Sequence, residues 1–330
     1  MTKLAIPHGA RAGEALDAAA LGQVGVTGRL ASLVETTKPR ITRLVTITSM
    51  VGFVMALPLE SVGAWAGAWR AAWMGGVCAL GTALAAAGAN AMNQWMERGR
   101  DAVMPRTIGR PLPTARVSPR AVLGMGVGLA LLGVVVLLGL GVVPALVALA
   151  CVVSYVAVYT PLKTRTTLAT FMGAVPGALP PLIGWSAVSP VGGWQSLTQP
   201  LGLSLFALMF IWQIPHFLAI AWMYREDYEK GGYVMLPVVD KNGRATAATI
   251  ALWGVALLPA TLWPAVIAPE RLGIVYGVVA AVSGIAYALL CLRLAMTRTR
   301  GAARAVFFGS IAHLPLLLVV MVAESVARGW

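Results

Sequence analysis

The feature that most constrains the fold is a series of apolar runs, each near 20 residues, that recurs along the whole chain. Hydrophobic residues make up 58% of the chain and charged residues only 11%, whereas a soluble domain carries about 25% charged residues. A helix of about 20 residues crosses a hydrocarbon core of about 30 Å. We therefore predict an all-α polytopic membrane protein, a bundle of about nine transmembrane helices, with spans near 41–59, 73–95, 121–140, 143–161, 167–185, 201–222, 247–268, 272–292 and 306–323.

The basic residues are distributed unevenly between the predicted loops. All of the 25 lysines and arginines except Arg70, Arg271 and Arg328 fall in the N-terminal segment or in alternate loops. Such asymmetry marks the cytoplasmic side of a membrane protein. It predicts a cytoplasmic N-terminus and a C-terminus outside, and it explains the net charge of +13 without nucleic-acid binding.

The remaining composition bounds the domain organisation. Cys78, Cys151 and Cys291 fall in apolar spans without the spacing of a zinc site or a disulfide framework. Residues 1–36 are rich in alanine and glycine and lack a signal-peptide core. We expect them to form a flexible cytoplasmic tail, followed by one transmembrane domain at 37–330.

The segment NQWMERGRDAVMPRTIGRPLPTAR, residues 93–116, places polar side chains where an apolar helix runs into a basic loop. Asn93, Glu97 and Asp101 follow one another every four residues, so they share one helical face. Oxygen ligands beside arginines suit a magnesium-bridged polyphosphate. The candidate diphosphate-binding arginines of this segment are Arg98, Arg106 and Arg110. The alternative is a solvated helix end with ordinary loop charges.

A second polar segment, WQIPHFLAIAWMYREDYEKGG, covers residues 212–232. His216 lies inside the apolar span and shares a helical face with Met223 and Asp227. Polar groups inside a membrane span are costly and tend to be functional, so we expect His216 to face a cavity. A structural histidine is the alternative. Glu226 and Asp227 form a second acidic group, which could face the first across one cavity as in two-metal sites.

A third cluster, YTPLKTRT, covers residues 159–166. Lys163 and Arg165 flank the cytoplasmic end of the fourth predicted span, after Pro161, which is expected to end the helix. Lys163 is placed to reach a diphosphate oxygen, and Tyr159 to line the pocket wall. A plain basic flank of a membrane span explains these residues equally well.

At these clusters the sequence resembles the UbiA superfamily of membrane prenyltransferases, and within it the haem O synthase group. The resemblance rests on TKPRIT (37–42), NxxxExxxD followed by RTIGRPLP, YTPLKTRT, and WQIPHF with REDYEKGG. The superfamily's first metal motif usually has aspartate where this chain has Glu97. Its second motif usually has two aspartates four apart, where this chain has Met223 and then Asp227 with Glu226.

The resemblance implies transfer of the farnesyl group of farnesyl diphosphate to a vinyl group of haem B, with water addition, giving haem O. Haem B is then a substrate, Mg²⁺ the cofactor, and a bacterial inner membrane the location. A haem A synthase or a terminal oxidase would receive the product. The implied metal ligands are Asn93, Glu97, Asp101, Glu226 and Asp227, the implied diphosphate ligands Arg98, Arg106, Arg110, Lys163 and Arg165, and the implied substrate pocket Tyr159, Gln213, His216 and Met223.

Two alternatives remain from the residues. One is a UbiA-type aromatic prenyltransferase that makes a quinone precursor. The WQIPHF block, and the lack of one of the two aspartates of the second metal motif, favour haem as the acceptor instead. The other is a different class, a membrane transporter or a haem-binding assembly factor. Carboxylates and cations confined to one face, without charges at the midplane, argue against transport.

Overall fold

The computed structural model describes residues 25–58 and 65–329, and all the regular structure in these ranges is helical. The helices are Val26–Thr36 (α1), Pro39–Ala56 (α2), Trp65–Asp101 (α3), Pro119–Leu138 (α4), Val142–Val153 (α5), Ala169–Ala178 (α6), Pro180–Val188 (α7), Pro200–Met223 (α8), Arg225–Lys230 (α9), Leu236–Val239 (α10), Arg244–Ile267 (α11), Ile274–Thr297 (α12) and Arg300–Gly329 (α13).

The predicted membrane bundle is confirmed in its main features. In the described ranges, eight helical segments are long and apolar enough to cross a membrane. They correspond to eight of the nine predicted spans, with α6 and α7 together forming one. The first predicted span, 41–59, corresponds to α2, which is not among the eight. Arg40 and Arg43 in the first turns of α2 lower its apolar character.

Helix α2 nevertheless packs tightly inside the bundle. A Cβ added to Gly52 would lie 1.9 Å from the carbonyl oxygen of Pro181, and one added to Gly184 would lie 1.8 Å from that of Ser49. Only glycine permits two backbones to approach so closely, which is a common device at helix contacts in membranes. Helix α2 is therefore an integral part of the bundle, in addition to the eight segments above.

The third and fourth predicted spans, 121–140 and 143–161, are two separate helices joined by a tight turn. Helix α4 ends at Leu138 and α5 begins at Val142. Gly141 between them has a φ of +142°, a conformation that glycine adopts without a steric penalty. The three residues between the helices, Gly139 to Gly141, are enough to reverse the chain because Gly141 can adopt this positive φ.

The end of the fourth span is more irregular than expected. Helix α5 continues as a π-helix, Ser154–Tyr159, and as one last turn, Thr160–Leu162. The hydroxyl of Thr160 donates to the carbonyl of Tyr155 at 2.8 Å. Pro161 therefore does not end the helix itself; the helix ends one residue later. π-Helical turns are rare and often occur at functional sites.

The prediction of a flexible tail over residues 1–36 needs correction at its end. Residues 1–24 lie outside the described residues, but the last eleven residues form α1. Gln94 donates its side-chain amide to the carbonyl of Thr36 at 3.1 Å, and Arg116 pairs with Glu35 at 2.9 Å. Helix ends leave carbonyls without intrahelical partners. Gln94 of α3 binds one of them, and Arg116 ties α1 to the loop that follows α3.

Candidate active site

The three polar residues at the end of α3 lie on one face, as their spacing predicts, and all three are buried. Asn93, Glu97 and Asp101 are 0%, 6% and 1% exposed. The cost of burying two carboxylates is high unless each has a partner. Each of the three side chains is in fact held by a basic residue from elsewhere in the chain.

Glu97 pairs with Lys163, the residue predicted from the third cluster. The Lys163 ammonium lies 2.7 Å from Oε1 of Glu97, and both side chains are largely withdrawn from solvent. Burial alone would lower the pKa of Lys163, but the Glu97 carboxylate raises it well above its ordinary range. The Lys163 ammonium also lies 4.5 Å from the centre of the Tyr159 ring. Lys163 is therefore a fixed positive charge at this site.

Asp101 is held by Arg110 from the loop that follows α3. One guanidinium nitrogen of Arg110 donates to both carboxylate oxygens, at 2.9 and 2.8 Å. The backbone carbonyl of Asp101 accepts a hydrogen bond from the Thr107 hydroxyl at 3.0 Å. The loop thus turns back over the helix end, because its threonine and arginine bind the last residue of α3.

Asn93 is held by Lys38, which directly precedes α2. The Lys38 ammonium donates to Oδ1 of Asn93 at 2.6 Å, and the Asn93 amide donates to the Thr160 hydroxyl at 3.0 Å. Burial lowers the pKa of Lys38 to about 7, although the Glu97 carboxylate opposes this shift. The neighbouring charges of Arg110 and Lys163 contribute to this lowering of the Lys38 pKa. Three basic side chains, Lys38, Lys163 and Arg110, therefore surround the acidic end of α3.

A pocket of about 200 Å³ opens beside Glu97. Its lining residues are Met96, Glu97, Arg100, Thr160, Pro161, Thr164, Arg165 and Tyr233. Burial and the Glu97 charge raise the pKa of Tyr233, so its phenol stays neutral and can donate a hydrogen bond. The pocket thus offers hydrogen-bond donors and positive charges around one carboxylate.

The predicted diphosphate-binding arginines occupy different places. Arg110 binds Asp101, and Arg165 lines the 200 Å³ pocket. Arg106 lies over the rings of Tyr224 and Tyr228, at 5.2 and 5.7 Å from their centres. Arg98 donates to the Trp95 carbonyl at 2.7 Å and is exposed. Arg98 and Arg106 are the two of the four that the structure places neither in this pocket nor against one of the buried carboxylates.

The second acidic group lies on the short helix α9. Glu226 is exposed and Asp227 is partly buried. Among the residues that the structure describes, no group of three or more histidine, cysteine or acidic side chains is arranged to hold a metal. The structure therefore does not join Glu226 and Asp227 with Glu97 and Asp101 into one acidic cluster.

His216 lies between aromatic rings of α8 and α13. Its ring stacks on Trp212 at 4.8 Å and on Phe307 at 5.3 Å between ring centres. Its Nδ1 lies 2.6 Å from the hydroxyl of Ser310, which itself donates to the Phe307 carbonyl. Two aromatic rings stack on the imidazole and Ser310 binds its Nδ1, so Nε2 is the ring nitrogen left to meet a ligand.

The other two predicted pocket residues, Met223 and Gln213, lie in different places. Met223 lines a larger pocket of about 500 Å³, between the end of α8 and the start of α13. Gln213 is buried and donates to the Met209 carbonyl at 2.8 Å. A Cβ on Gly177 would lie 1.8 Å from Oε1 of Gln213, so this side chain packs against α6.

Sequence reasoning assigned no role to three residues that the structure places at the site. These are Lys38, Thr160 and Tyr233. Lys38 had a signal, because a lysine directly before a proline that starts a helix lies at the mouth of the bundle. Thr160 and Tyr233 had none, since their proximity to Asn93 and Glu97 depends on how separate helices and loops pack.

The donor set suits Mg²⁺. Mg²⁺ prefers oxygen ligands and commonly binds through one or two carboxylates, with substrate phosphates and water completing its shell. Glu97, Asp101 and the amide oxygen of Asn93 are such ligands, buried on one face. They would share the metal with a diphosphate rather than enclose it, which agrees with the small number of carboxylates here.

Comparisons with known proteins show the family of this chain. The model of the UbiA prenyltransferase family matches residues 45–312. The protoheme IX farnesyltransferase of Solibacter usitatus is 40% identical over 88% of this chain and 97% of its own length, and that of Anaeromyxobacter dehalogenans 41% over 88% and 93%.

Solved structures show the same fold at low sequence identity. A digeranylgeranylglyceryl phosphate synthase structure matches with a TM-score of 0.73 and 15% identity over 91% of this chain and 99% of that one. A UbiA homologue from Archaeoglobus fulgidus, bound to DMAPP and Mg²⁺, matches with a TM-score of 0.63 and 15% identity over 89% and 99%. The chain belongs to the UbiA prenyltransferase family and, within it, to the group of the protoheme IX farnesyltransferases.

Proposed function

We propose that this protein transfers the farnesyl group of farnesyl diphosphate to a vinyl group of haem B and adds water, giving haem O and diphosphate. The observation that carries the chemistry is the buried face of Asn93, Glu97 and Asp101, with a basic partner on each side chain. The names of the relatives at about 40% identity support haem as the acceptor.

The basic partners give the site a means of accepting a diphosphate with its metal. In the substrate-free protein, Lys163 and Arg110 neutralise the two carboxylates of α3, and Lys38 binds the neutral amide of Asn93. An arriving diphosphate attracts the same cations, and the freed oxygens of Glu97 and Asp101 would then hold Mg²⁺. The charge of the two ion pairs stays balanced, because Glu97 and Asp101 exchange a basic side chain for Mg²⁺ while Lys163 and Arg110 exchange a carboxylate for the diphosphate.

Ionisation of the substrate then depends on charge at the leaving group. As the C1–O bond of farnesyl diphosphate breaks, negative charge grows on the departing diphosphate. Lys163 and the pocket-lining Arg100 and Arg165 stabilise that charge, which lowers the barrier. Mg²⁺ would supply further charge neutralisation at the same oxygens. Tyr159 and Tyr233 cover the site and keep water from the allylic cation.

The last steps of the reaction take place on the acceptor, haem B. The terminal vinyl carbon of haem B forms the new C–C bond, and the positive charge passes to the carbon beside the porphyrin, which delocalises it. Water adds to that carbon and loses a proton to bulk water or to the diphosphate. His216 is the candidate to contact the porphyrin or to position this water, through its uncovered Nε2 edge. The product carries the hydroxyethylfarnesyl substituent.

We place this multi-pass protein in the bacterial inner membrane with the active site facing the cytoplasm. The basic loops support this orientation, since positively charged loops stay on the cytoplasmic side. The N-terminus is then cytoplasmic and the C-terminus outside, with α2 as the first of nine crossings. A haem A synthase or a terminal oxidase would use the haem O released.

The proposal is tested with purified protein in lipid nanodiscs supplied with haem B, farnesyl diphosphate and Mg²⁺, followed by chromatography for haem O. Wild-type protein should form haem O, and chelation of Mg²⁺ should stop it. Asp101→Asn should reduce turnover at least 100-fold, because a metal-binding charge is lost. Glu229→Gln, which changes an exposed carboxylate, is the matched control and should keep full turnover.

Haem O formation by Asp101→Asn at the wild-type rate would refute the metal-binding role. Absence of haem O from the wild-type protein would refute the proposed reaction. Size-exclusion profiles of both variants show whether a loss of turnover comes from misfolding instead.

A further inference from the structure

A second pocket lies outside the carboxylate site, between the end of α8 and the start of α13. Its volume is about 500 Å³, within the range of about 300–1,000 Å³ that is usual for ligand pockets. Its lining residues are Met223, Tyr224, Arg300, Gly301, Arg304, Phe307 and Phe308. The walls are thus apolar and aromatic, with two arginines as the charged groups. No atom lies within 4 Å of a Cβ built on Gly301, so the pocket is open at this position.

The two arginines form a pair suited to two anionic groups. Arg300 and Arg304 are four residues apart on α13, which puts them on the same side of the helix, with Cβ atoms roughly 5–6 Å apart. Neither forms an ion pair in the part of the chain that the structure describes, and the Arg304 guanidinium rests over the Phe308 ring at 5.5 Å. Unpaired guanidinium groups beside aromatic rings indicate an anionic, partly aromatic ligand.

Two residues of the pocket wall contact residues of the candidate active site. Phe307 lines the pocket and stacks on His216 at 5.3 Å between ring centres. Tyr224 lines it and lies under Arg106, 5.2 Å from the guanidinium, in the loop that follows Asp101. A ligand in this pocket would therefore be separated by one side chain, Phe307, from His216, and by another, Tyr224, from the loop that carries Arg106.

We propose that this pocket binds the acceptor porphyrin, with its two propionate carboxylates paired to Arg300 and Arg304. The assignment rests on the proposed function, because haem B is a planar aromatic dianion of matching chemistry. The macrocycle lies between the aromatic side chains and Met223, and the propionates remain at the polar end of the bundle. This orientation turns the opposite edge of the porphyrin, which carries the vinyl groups, into the protein and toward His216.

The experiment measures haem affinity apart from turnover. Haem B is titrated into protein in neutral phosphatidylcholine nanodiscs without farnesyl diphosphate or Mg²⁺, and the Soret band reports binding. The double variant Arg300→Gln/Arg304→Gln should bind haem B about 10- to 100-fold more weakly, because two charge-assisted hydrogen bonds are lost. The dimethyl ester of haem B, which has no propionate charge, should bind both proteins equally.

A matched control changes the same charge elsewhere at this end of the bundle. Arg120→Gln/Arg293→Gln removes two exposed arginines that do not line the pocket, and it should bind haem B as the wild type does. Equal affinity of the Arg300/Arg304 variant for haem B would overturn the proposal. So would an equal loss of affinity for the dimethyl ester, since the arginines would then act without the propionates.

Two further outcomes separate the possible sources of error. If the Arg300/Arg304 variant loses co-purified anionic phospholipid but keeps its haem affinity, the pocket is a lipid site and the proposal fails. If the wild type binds haem B through this pair but forms no haem O in the complete assay, the pocket stands and the proposed reaction fails.

Discussion

The ion pair between Glu97 and Lys163 should have a large coupling energy, because both charges are withdrawn from water. Nitrogen and oxygen lie 2.7 Å apart, and the side chains are 13% and 7% exposed for Lys163 and Glu97. At an effective dielectric constant of about 20, Coulomb attraction at this distance is about 6 kcal/mol. Desolvation of both groups offsets part of this attraction. We therefore expect a net coupling of about 3 kcal/mol.

Each single substitution should cost about as much as the double substitution, because removing the second partner of a broken pair adds little. Glu97→Gln leaves a buried ammonium without its partner, and Lys163→Met leaves a buried carboxylate, so each should destabilise the protein by about 3 kcal/mol. The double variant should cost about 3 kcal/mol less than the two single losses added together. Thermal unfolding in detergent with a chelator present measures this cycle, with about 6 °C lost in each single variant at about 2 °C per kcal/mol.

The chain contains a matched pair for comparison. Glu229 and Lys241 are separated by a similar 2.8 Å, but their side chains are 54% and 64% exposed. The same cycle at this pair should give no measurable coupling, because water and salt screen exposed charges. If Glu97 and Lys163 coupled no more strongly than this exposed pair, the reasoning from burial would be wrong.

Two other predictions concern packing and protonation. Gly184→Ala should strongly lower the yield of folded protein, because the new Cβ would lie 1.8 Å from the Ser49 carbonyl, whereas Gly76→Ala, with no atom within 4 Å, should leave the melting temperature unchanged. The pKa of Lys38 is lowered to about 7, so the unfolded chain binds the extra proton between about pH 7 and 10. Wild-type stability should then rise with pH across this window by about 1 kcal/mol per pH unit relative to Lys38→Met. Melting curves at several pH values test this, and an identical pH dependence of the two proteins would refute the assigned pKa.

Much of the fold was predictable because membrane helices can be recognised from the length and hydropathy of apolar segments. Eight of the nine predicted spans match helices of sufficient length and apolarity, and the turn at Gly141 follows from a glycine between two apolar runs. The π-helix Ser154–Tyr159 was not predictable, since an apolar segment has no sequence pattern that distinguishes it from an α-helix. The helix Val26–Thr36 was missed because its order depends on contacts with Gln94 and Arg116.

The sequence alone determined that Asn93, Glu97 and Asp101 share one helical face, because a spacing of four residues is nearly one helical turn. It also indicated the family. Only the tertiary structure decided which cation holds each of these side chains. Lys38 is 55 residues from Asn93 and Lys163 is 66 from Glu97, so those pairings require particular helices to pack together. The same is true of the pocket between Met223 and Arg300, since hydropathy places helices in a membrane but does not state which ends meet.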